Sequence, residues 1–192
     1  RQIRQTSLVS YVFPGCTHTR FEHTLGVLHQ TQRLIDAVAK NSPDQPSPPF
    51  SADIVNDLRL AALFHDTGHS CLSHISEDLL LRCADMQAFL NAPNAVKCSP
   101  HETLSALILQ SAPVCDVLVR RAERYQIKFN VARAANWIMG ADSGEGVSDE
   151  MRYVCQVING PFDADKLDYI FRDSHYSGIP LGLDLDRLWA SC

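Results

Sequence analysis

Ten consecutive residues restrict this chain more than any other feature: His65-Asp66-Thr67-Gly68-His69-Ser70-Cys71-Leu72-Ser73-His74. An apolar stripe precedes them. Ile54, Leu58 and Ala61 follow one another at steps of four and three, and a further step of four reaches His65. That spacing is one face of an α-helix, so His65 falls on the face that packs inward. Asp66 comes directly after it. A carboxylate and an imidazole withdrawn from water together are costly unless they meet a cation or full hydrogen bonding. A fold open to this chain must therefore bring a compensating partner to the end of that helix. A divalent metal ion is the simplest one, because a neutral imidazole and a carboxylate are natural donors for it. Gly68 can end the helix and turn the backbone, so that His69 and His74 face the same cavity. One buried histidine is usually a satisfied core residue. Three histidines and an aspartate within ten positions are hard to bury for packing alone.

The remaining chain reads as helix, with little strand alternation. The first helix is expected from about Arg20 to Lys40. It ends in a proline-rich loop over 41–50, where four prolines forbid regular structure. Ser51 is a candidate N-cap for the helix that carries the apolar stripe, and that helix is expected to stop near Gly68. A short helix is expected over 76–83 and a loop over 91–99. Pro100, after Ser99, suits the start of a helix through about Gln110. Further helices are expected over 113–125, 130–139, 149–158 and 163–176, with a last one beginning near Asp184. Residues 140–148 read as a loop. The expected fold is all-α, a helical bundle of roughly eight to ten helices around a metal site.

At 192 residues the chain suits one domain, large enough for its own core. Its net charge of −5 excludes a broad basic surface for polymeric nucleic acid, though not a local basic pocket. No apolar run nears the roughly 18 residues of a membrane span. The N-terminus is charged but has no apolar segment of the kind that directs secretion. A cytoplasmic or nuclear protein is expected. Seven cysteines without a Cys-x-x-Cys pair predict reduced thiols, most of them buried.

Three further segments carry chemistry-bearing residues. In Thr17-His18-Thr19-Arg20-Phe21-Glu22-His23, Arg20 and His23 lie one helical turn apart and can face one site. The plain alternative is a surface charge pattern of Arg20 with Glu22. In the segment from Asp163 to Asp173, Asp165, Asp168, Tyr169 and Arg172 share a helix face. Taken alone, that pattern is better explained as a solvated face held by salt bridges. Pro100-His101-Glu102 suits acid/base chemistry, with Glu102 tuning the imidazole. An acidic residue is also what a helix start favours.

Together these blocks resemble the HD-domain phosphohydrolase superfamily: a histidine (His23), an adjacent His65-Asp66 on the next helix, and an aspartate (Asp165) on a later one. The words from Tyr11 to His23, from His65 to His74 and from Asp163 to Asp173 resemble its deoxynucleoside triphosphate triphosphohydrolase branch. The resemblance covers residues 5–187 and implies that the chain, a single domain, is the catalytic core of a longer enzyme. It implies one divalent metal ion (iron, zinc, manganese or magnesium) on His23, His65, Asp66 and Asp165. Gln5, Arg20, Lys166, Tyr169 and Asp173 would contact the nucleotide substrate. His69, His74 and His101, with Glu77 and Glu102, would serve catalysis. The implied reaction is attack of water on the α-phosphorus, releasing deoxynucleoside and triphosphate. Glu77 stands where the branch's vertebrate enzyme has Asp, and Gln5-Thr6 where it has Gln-Leu, near the sugar. Another HD chemistry, on phosphodiesters or 5′-nucleotides, and a catalytically weak nucleotide-binding module stay open, as does a homo-oligomer. No membrane partner and no extended nucleic-acid surface are expected.

Overall fold

The computed structural model describes residues 2–41, 50–93, 95–141 and 149–191. Its first long helix, α1 (Arg20–Asn41), begins at a reciprocal cap. The Glu22 carboxylate accepts from the Thr19 amide at 2.6 Å and from its hydroxyl at 2.7 Å, while the Glu22 amide donates back to Thr19 Oγ1 at 3.2 Å. This is a capping box, which satisfies amides that a helix start leaves open. Glu22 is therefore a cap residue, not the surface partner of Arg20.

Short-range chemistry of the same kind starts the other main helices. Ser51 accepts from the Ile54 amide and opens α2 (Ala52–Phe64). Ser99 and Glu102 form a second capping box ahead of α5 (Pro100–Gln110). Asn130 caps α7 (Val131–Ile138), and Asp163 caps α9 (Ala164–Ser177). Gly178, in the left-handed region at φ 74°, ends α9. Between these lie α3 (His74–Leu80), α4 (Ala84–Leu90), α6 (Ala112–Tyr125) and α8 (Asp149–Cys155), and α10 (Leu185–Ser191) closes the set. The fold is all-α. Among the described residues there is no β-strand, only an isolated bridge between Arg4 and Thr19.

Helix α1 packs along α9 and α2, α7 packs on α2 and α5, and α10 returns to α1. Val27 and Ile35 of α1, Leu58 and Ala61 of α2, Leu109 of α5, Trp137 of α7 and Leu167 of α9 are buried together in one core. The apolar stripe read from the sequence is thus the inward face of α2, and it delivers His65 to the end of that helix.

Some boundaries differ from the sequence expectation. Helix α2 stops at Phe64, so His65 and Asp66 lie in the turn after it. Gly68 serves a different purpose from ending the helix. A Cβ there would collide with the backbone of α5 at His101 and Ser105, so only glycine lets the turn lie against that helix. The helix expected over 76–83 begins earlier, at His74, after Ser73 at φ 53°. Helix α4 occupies a stretch to which the sequence reading assigned no element. The 149–158 helix ends at Cys155. Most of the proline-rich loop (42–49) and of the 140–148 loop (142–148) lies outside the described residues. None of the six described cysteines is in a disulfide, but only Cys16 and Cys155 are buried; Cys71 and Cys83 are exposed, against the expectation of mostly buried thiols. Among the described residues no single helix is long and apolar enough to cross a membrane.

Asp57, on α2, is fully buried. It accepts from the Asn130 amide and from Arg133 Nε, each at 2.5 Å, which ties α2 to the first turn of α7. Loss of one partner from such an arrangement strands the other polar groups. Asp57→Ala is expected to lower unfolding stability by about 3 kcal/mol, read from the midpoint of urea denaturation. A change below about 0.5 kcal/mol would show that this link is idle.

Candidate metal centre and its pocket

Two imidazoles are fixed at the meeting point of α1, α2 and α9. His23, in the first turn of α1, is fully buried. Its Nδ1 lies 2.8 Å from Asp168 Oδ2 on α9. Asp168 is held in turn by Arg172, whose Nε and Nη2 donate at 2.7 and 2.8 Å. His65 donates from Nδ1 to the Ala62 carbonyl at 2.8 Å. A carboxylate and a carbonyl both accept, so both rings carry the Nδ1 proton and turn Nε2 the other way, toward the space between the helices. Neither Nε2 has a hydrogen-bond partner, although both are buried.

Both Nε2 atoms face Asp165. Its Oδ1 is 2.9 Å from His23 Nε2 and 3.7 Å from His65 Nε2. These three donor atoms lie within 4.8 Å of one another. Asp66 stands beside them, 3.7 Å from His23 Nε2 and 3.8 Å from His65 Nε2. Its carboxylate also accepts from Arg20, whose other terminal nitrogen donates to Ser73 Oγ at 2.8 Å. Two orphaned imidazole nitrogens facing carboxylates form the donor set of a divalent cation site, and a nitrogen anchored on its far side is the usual support of a histidine ligand.

The electrostatics agree. Burial disfavours the charged form of His23, yet Asp165 and Asp168 outweigh it and hold the ring up at about 9. Burial would raise Asp165, but His23 and His65 hold it well below the usual carboxylate range. The same contest leaves Asp66 lowered, by His65 and Arg20. The carboxylates are thus ionised, and the cluster draws positive charge.

Ser105 of α5, fully buried, holds the His65 turn. Its hydroxyl donates to the His65 carbonyl at 2.7 Å and accepts from the Gly68 amide at 2.8 Å. Gly26 plays a matching part on α1. A Cβ there would overlap the Asp168 carboxylate and the Arg172 guanidinium. Neither residue carries a signal in sequence beyond its small size.

A second cluster lies next to the first. Glu77 Oε1 is 2.7 Å from His74 Nδ1, 3.0 Å from His101 Nδ1 and 3.7 Å from His69 Nδ1. His69 stacks on His101 with ring centroids 3.7 Å apart and lies 3.4 Å from Asp66. Burial pushes His69 down to about 3, so its ring is neutral. His74 sits at the mouth, with 78% of its side chain exposed. The carboxylate beside His101 is that of Glu77. Glu102 accepts instead from Ser99 and from Asn159 Nδ2, closing the cap of α5. The expectation that Glu102 tunes the imidazole gives way to its role as a cap.

Both clusters open into one cavity of about 660 Å³. Gln5, Arg20, Lys166, Tyr169 and Asp173 line it, as do the histidines of the second cluster. Lys166 donates to the Gly160 carbonyl at 2.8 Å and to Asp163 at 2.5 Å. Asp165, Tyr169 and Asp173 recur every four residues along α9. The face read as either functional or solvated lines this cavity, and Asp168, next to it, is buried against His23.

The HD domain family matches residues 20–129, more than half of the chain. A putative HD domain-containing protein of Acanthamoeba polyphaga mimivirus is 29% identical over 98% of this chain and 39% of its own length. The deoxynucleoside triphosphate triphosphohydrolase SAMHD1 homolog of Dictyostelium discoideum is 28% identical, over 98% of this chain and 33% of its own. Its Bos taurus counterpart is 28% identical, over 97% and 32%. The chain thus spans about a third of the curated relatives it matches. The crystal structure of a hypothetical protein from Aquifex aeolicus superposes with a TM-score of 0.67 at 27% identity, over 99% of this chain and 42% of that one.

The support of His23 can be tested through the residue that leaves room for it. Gly26→Ala is expected to displace Asp168 and weaken binding of zinc or cobalt by about 10–100-fold, read by competition with a chromophoric chelator. Unaltered affinity would mean that Asp168 does not orient the ligand.

Proposed function

The chain belongs to the HD-domain family, and from that premise we propose that it is a metal-dependent phosphohydrolase that converts deoxynucleoside triphosphates to deoxynucleoside and triphosphate. The observation that carries this reading is the pair of anchored imidazoles. Both turn Nε2 toward Asp165 on the wall of a nucleotide-sized cavity. The triphosphohydrolase names of the Dictyostelium and Bos taurus relatives support the choice of substrate.

In this reading His23, His65, Asp66 and Asp165 hold one divalent ion, and the mixed nitrogen and oxygen donors suit iron, zinc, manganese or magnesium. When bound, such an ion polarises a phosphoryl oxygen and lowers the pKa of a bound water. The chain's own residues do the rest. Arg20 and Lys166 set positive charge beside the polyphosphate, which a protein of net charge −5 would otherwise repel. Neutral His69 lies between the two clusters and orients the reacting phosphate through a hydrogen bond. Water attacks the α-phosphorus, the bond to the 5′-oxygen breaks, and that oxygen takes a proton from His74 or His101. Glu77 holds both rings through one oxygen. Tyr169, Asp173 and Gln5 face the nucleoside.

Incubation of metal-loaded protein with dGTP or dATP is expected to yield deoxynucleoside and triphosphate in equal amounts by mass spectrometry, and His65→Ala to abolish both metal content and turnover. Monophosphate and pyrophosphate as products would point to a different HD phosphohydrolase chemistry. Nucleotide binding without turnover would point to a binding module. Glu77→Gln should lower kcat about 10–100-fold with metal content intact; an unchanged kcat would remove Glu77 from the proton-transfer step.

A further inference from the structure

A serine at a helix start ordinarily takes an extended backbone and accepts from an amide of the first turn. Ser51 and Ser99 both do so, at φ −66° and −72°. Ser73 does neither. It precedes α3 at φ 53° and ψ −134°, and its side chain makes no cap hydrogen bond. That backbone region suits glycine and is costly for serine. The hydroxyl accepts instead from Arg20 Nη2 at 2.8 Å. The other terminal nitrogen of Arg20 donates to Asp66. Arg20 is buried and lines the cavity. A phosphate that reaches its guanidinium therefore competes with Ser73 at Nη2 and with Asp66 at Nη1. The neutral hydroxyl is the weaker acceptor of the two, so Ser73 is the partner that yields.

Helix α3 is loosely held. None of its residues is buried, and its main packing partner is α5. Ile75 and Leu79 face outward, 59% and 61% exposed. Its polar link to α5 is Glu77, 3.0 Å from His101 Nδ1. Leu72, Ser73, His74 and Ile75 all line the cavity. A change of backbone at Ser73 thus re-aims the first turn of α3, where His74 stands at the mouth.

We propose that Ser73 is a positioning residue with two alternative partners: Arg20 in the free protein, and the first-turn amides of α3 once a ligand's phosphate takes its place on Arg20. The inference rests on the reading above that the cavity receives a polyphosphate. Release from Arg20 lets Ser73 return to the extended backbone of an ordinary N-cap. Its hydroxyl then accepts from the amide of Ile75 or Ser76, and α3 turns about this point. His74 moves with that turn from the mouth toward the ligand. One hydrogen bond is exchanged for another, and the backbone strain is given up, so the ligand needs only a modest preference for the capped state to shift the balance. Arrival of the phosphate and placement of the proton donor become one event.

The probe is inorganic tripolyphosphate, supplied as its magnesium complex so that it does not strip the bound ion from the metal-loaded protein. The readout is amide hydrogen exchange, resolved residue by residue. In wild type the probe is expected to slow exchange of the Ile75 or Ser76 amide about fivefold. Ser73→Ala has no oxygen to cap with. It is expected to bind the probe by calorimetry without any slowing at α3, and to lower kcat for dGTP about tenfold with metal content unaltered. Ser73→Thr keeps the hydroxyl and makes a positive φ costlier still. Its Ile75 or Ser76 amide is expected to exchange slowly before the probe is added and to change little afterwards. A serine with a merely structural role gives neither this ligand dependence nor the opposite behaviour of the two variants. No slowing in wild type saturated with the probe, equal slowing in Ser73→Ala, or an unaltered kcat in that variant would overturn the inference. Failure of the probe to bind wild type would refute the placement of phosphates at Arg20, and this inference with it. Hydrolysis of dGTP with no change at α3 would refute the role of Ser73 alone. Slowing at α3 in a protein that hydrolyses no nucleotide would refute the phosphohydrolase reading and leave this inference standing.

Discussion

The architecture depends on a set of buried charges that three helices must satisfy together. Asp66, Asp165 and Asp168 are ionised, and two imidazoles are locked through Nδ1 with Nε2 atoms turned toward Asp165. None of these groups is tolerable in an apolar interior alone. Helices α1, α2 and α9 therefore meet where their charges complete one another. The close backbone approach at Gly68, the room that Gly26 leaves for Asp168 and the hydroxyl of Ser105 follow from that requirement. The apolar core explains why these helices associate, but the charges explain why they associate in this register.

That division also marks what the sequence discloses. Helix starts are local, so Ser51, Ser99 and Asn130 announced α2, α5 and α7, and the four–three–four step of α2 pointed to His65. The partners of charged groups are tertiary, and no spacing rule reveals them. Nothing near Asp57 indicates Arg133, seventy-six positions away. Glu102, adjacent to His101, looked like its partner, whereas Glu77 on another helix holds it. Asp168 read as one more residue on a charged face until α1 placed His23 against it. The start of α3 at His74 depends on Ser73 adopting a positive φ, which its side chain does not favour. The site residues were legible because they are unusual in kind; the residues that hold them were not, because serine, glycine and aspartate are ordinary.

The cations of the pocket are already engaged within the chain. Arg20 is paired with Asp66 and Ser73, and Lys166 with Asp163 and the Gly160 carbonyl. A polyphosphate entering the cavity meets no bare positive charge. It competes with carboxylates for the same donors, and its affinity is the difference between the two sets of contacts. The pairing has a use in the absence of ligand. It holds both side chains near their working positions, so that less rotamer freedom is lost on binding. It also disfavours simple anions, which cannot reach the metal-site carboxylates, the histidines and both cations at once.

In the proposed reading, selectivity among nucleotides comes from elsewhere in the cavity, because the phosphates that the metal donors and cations would face are common to all nucleoside triphosphates. The face of α9 separates these tasks along its length. Asp165 belongs to the charged end, Tyr169 offers an aromatic surface, and Asp173 lies beyond it beside His18. A family likeness near 28% identity speaks for the fold, whereas substrate choice is a property of the site. The paired segments Ile3–Gln5 and His18–Arg20 border this face. They touch the cavity through Gln5, set His18 against Asp173, and reach the metal centre through the pairing of Arg20 with Asp66, so a change in them is felt at both ends of the cavity.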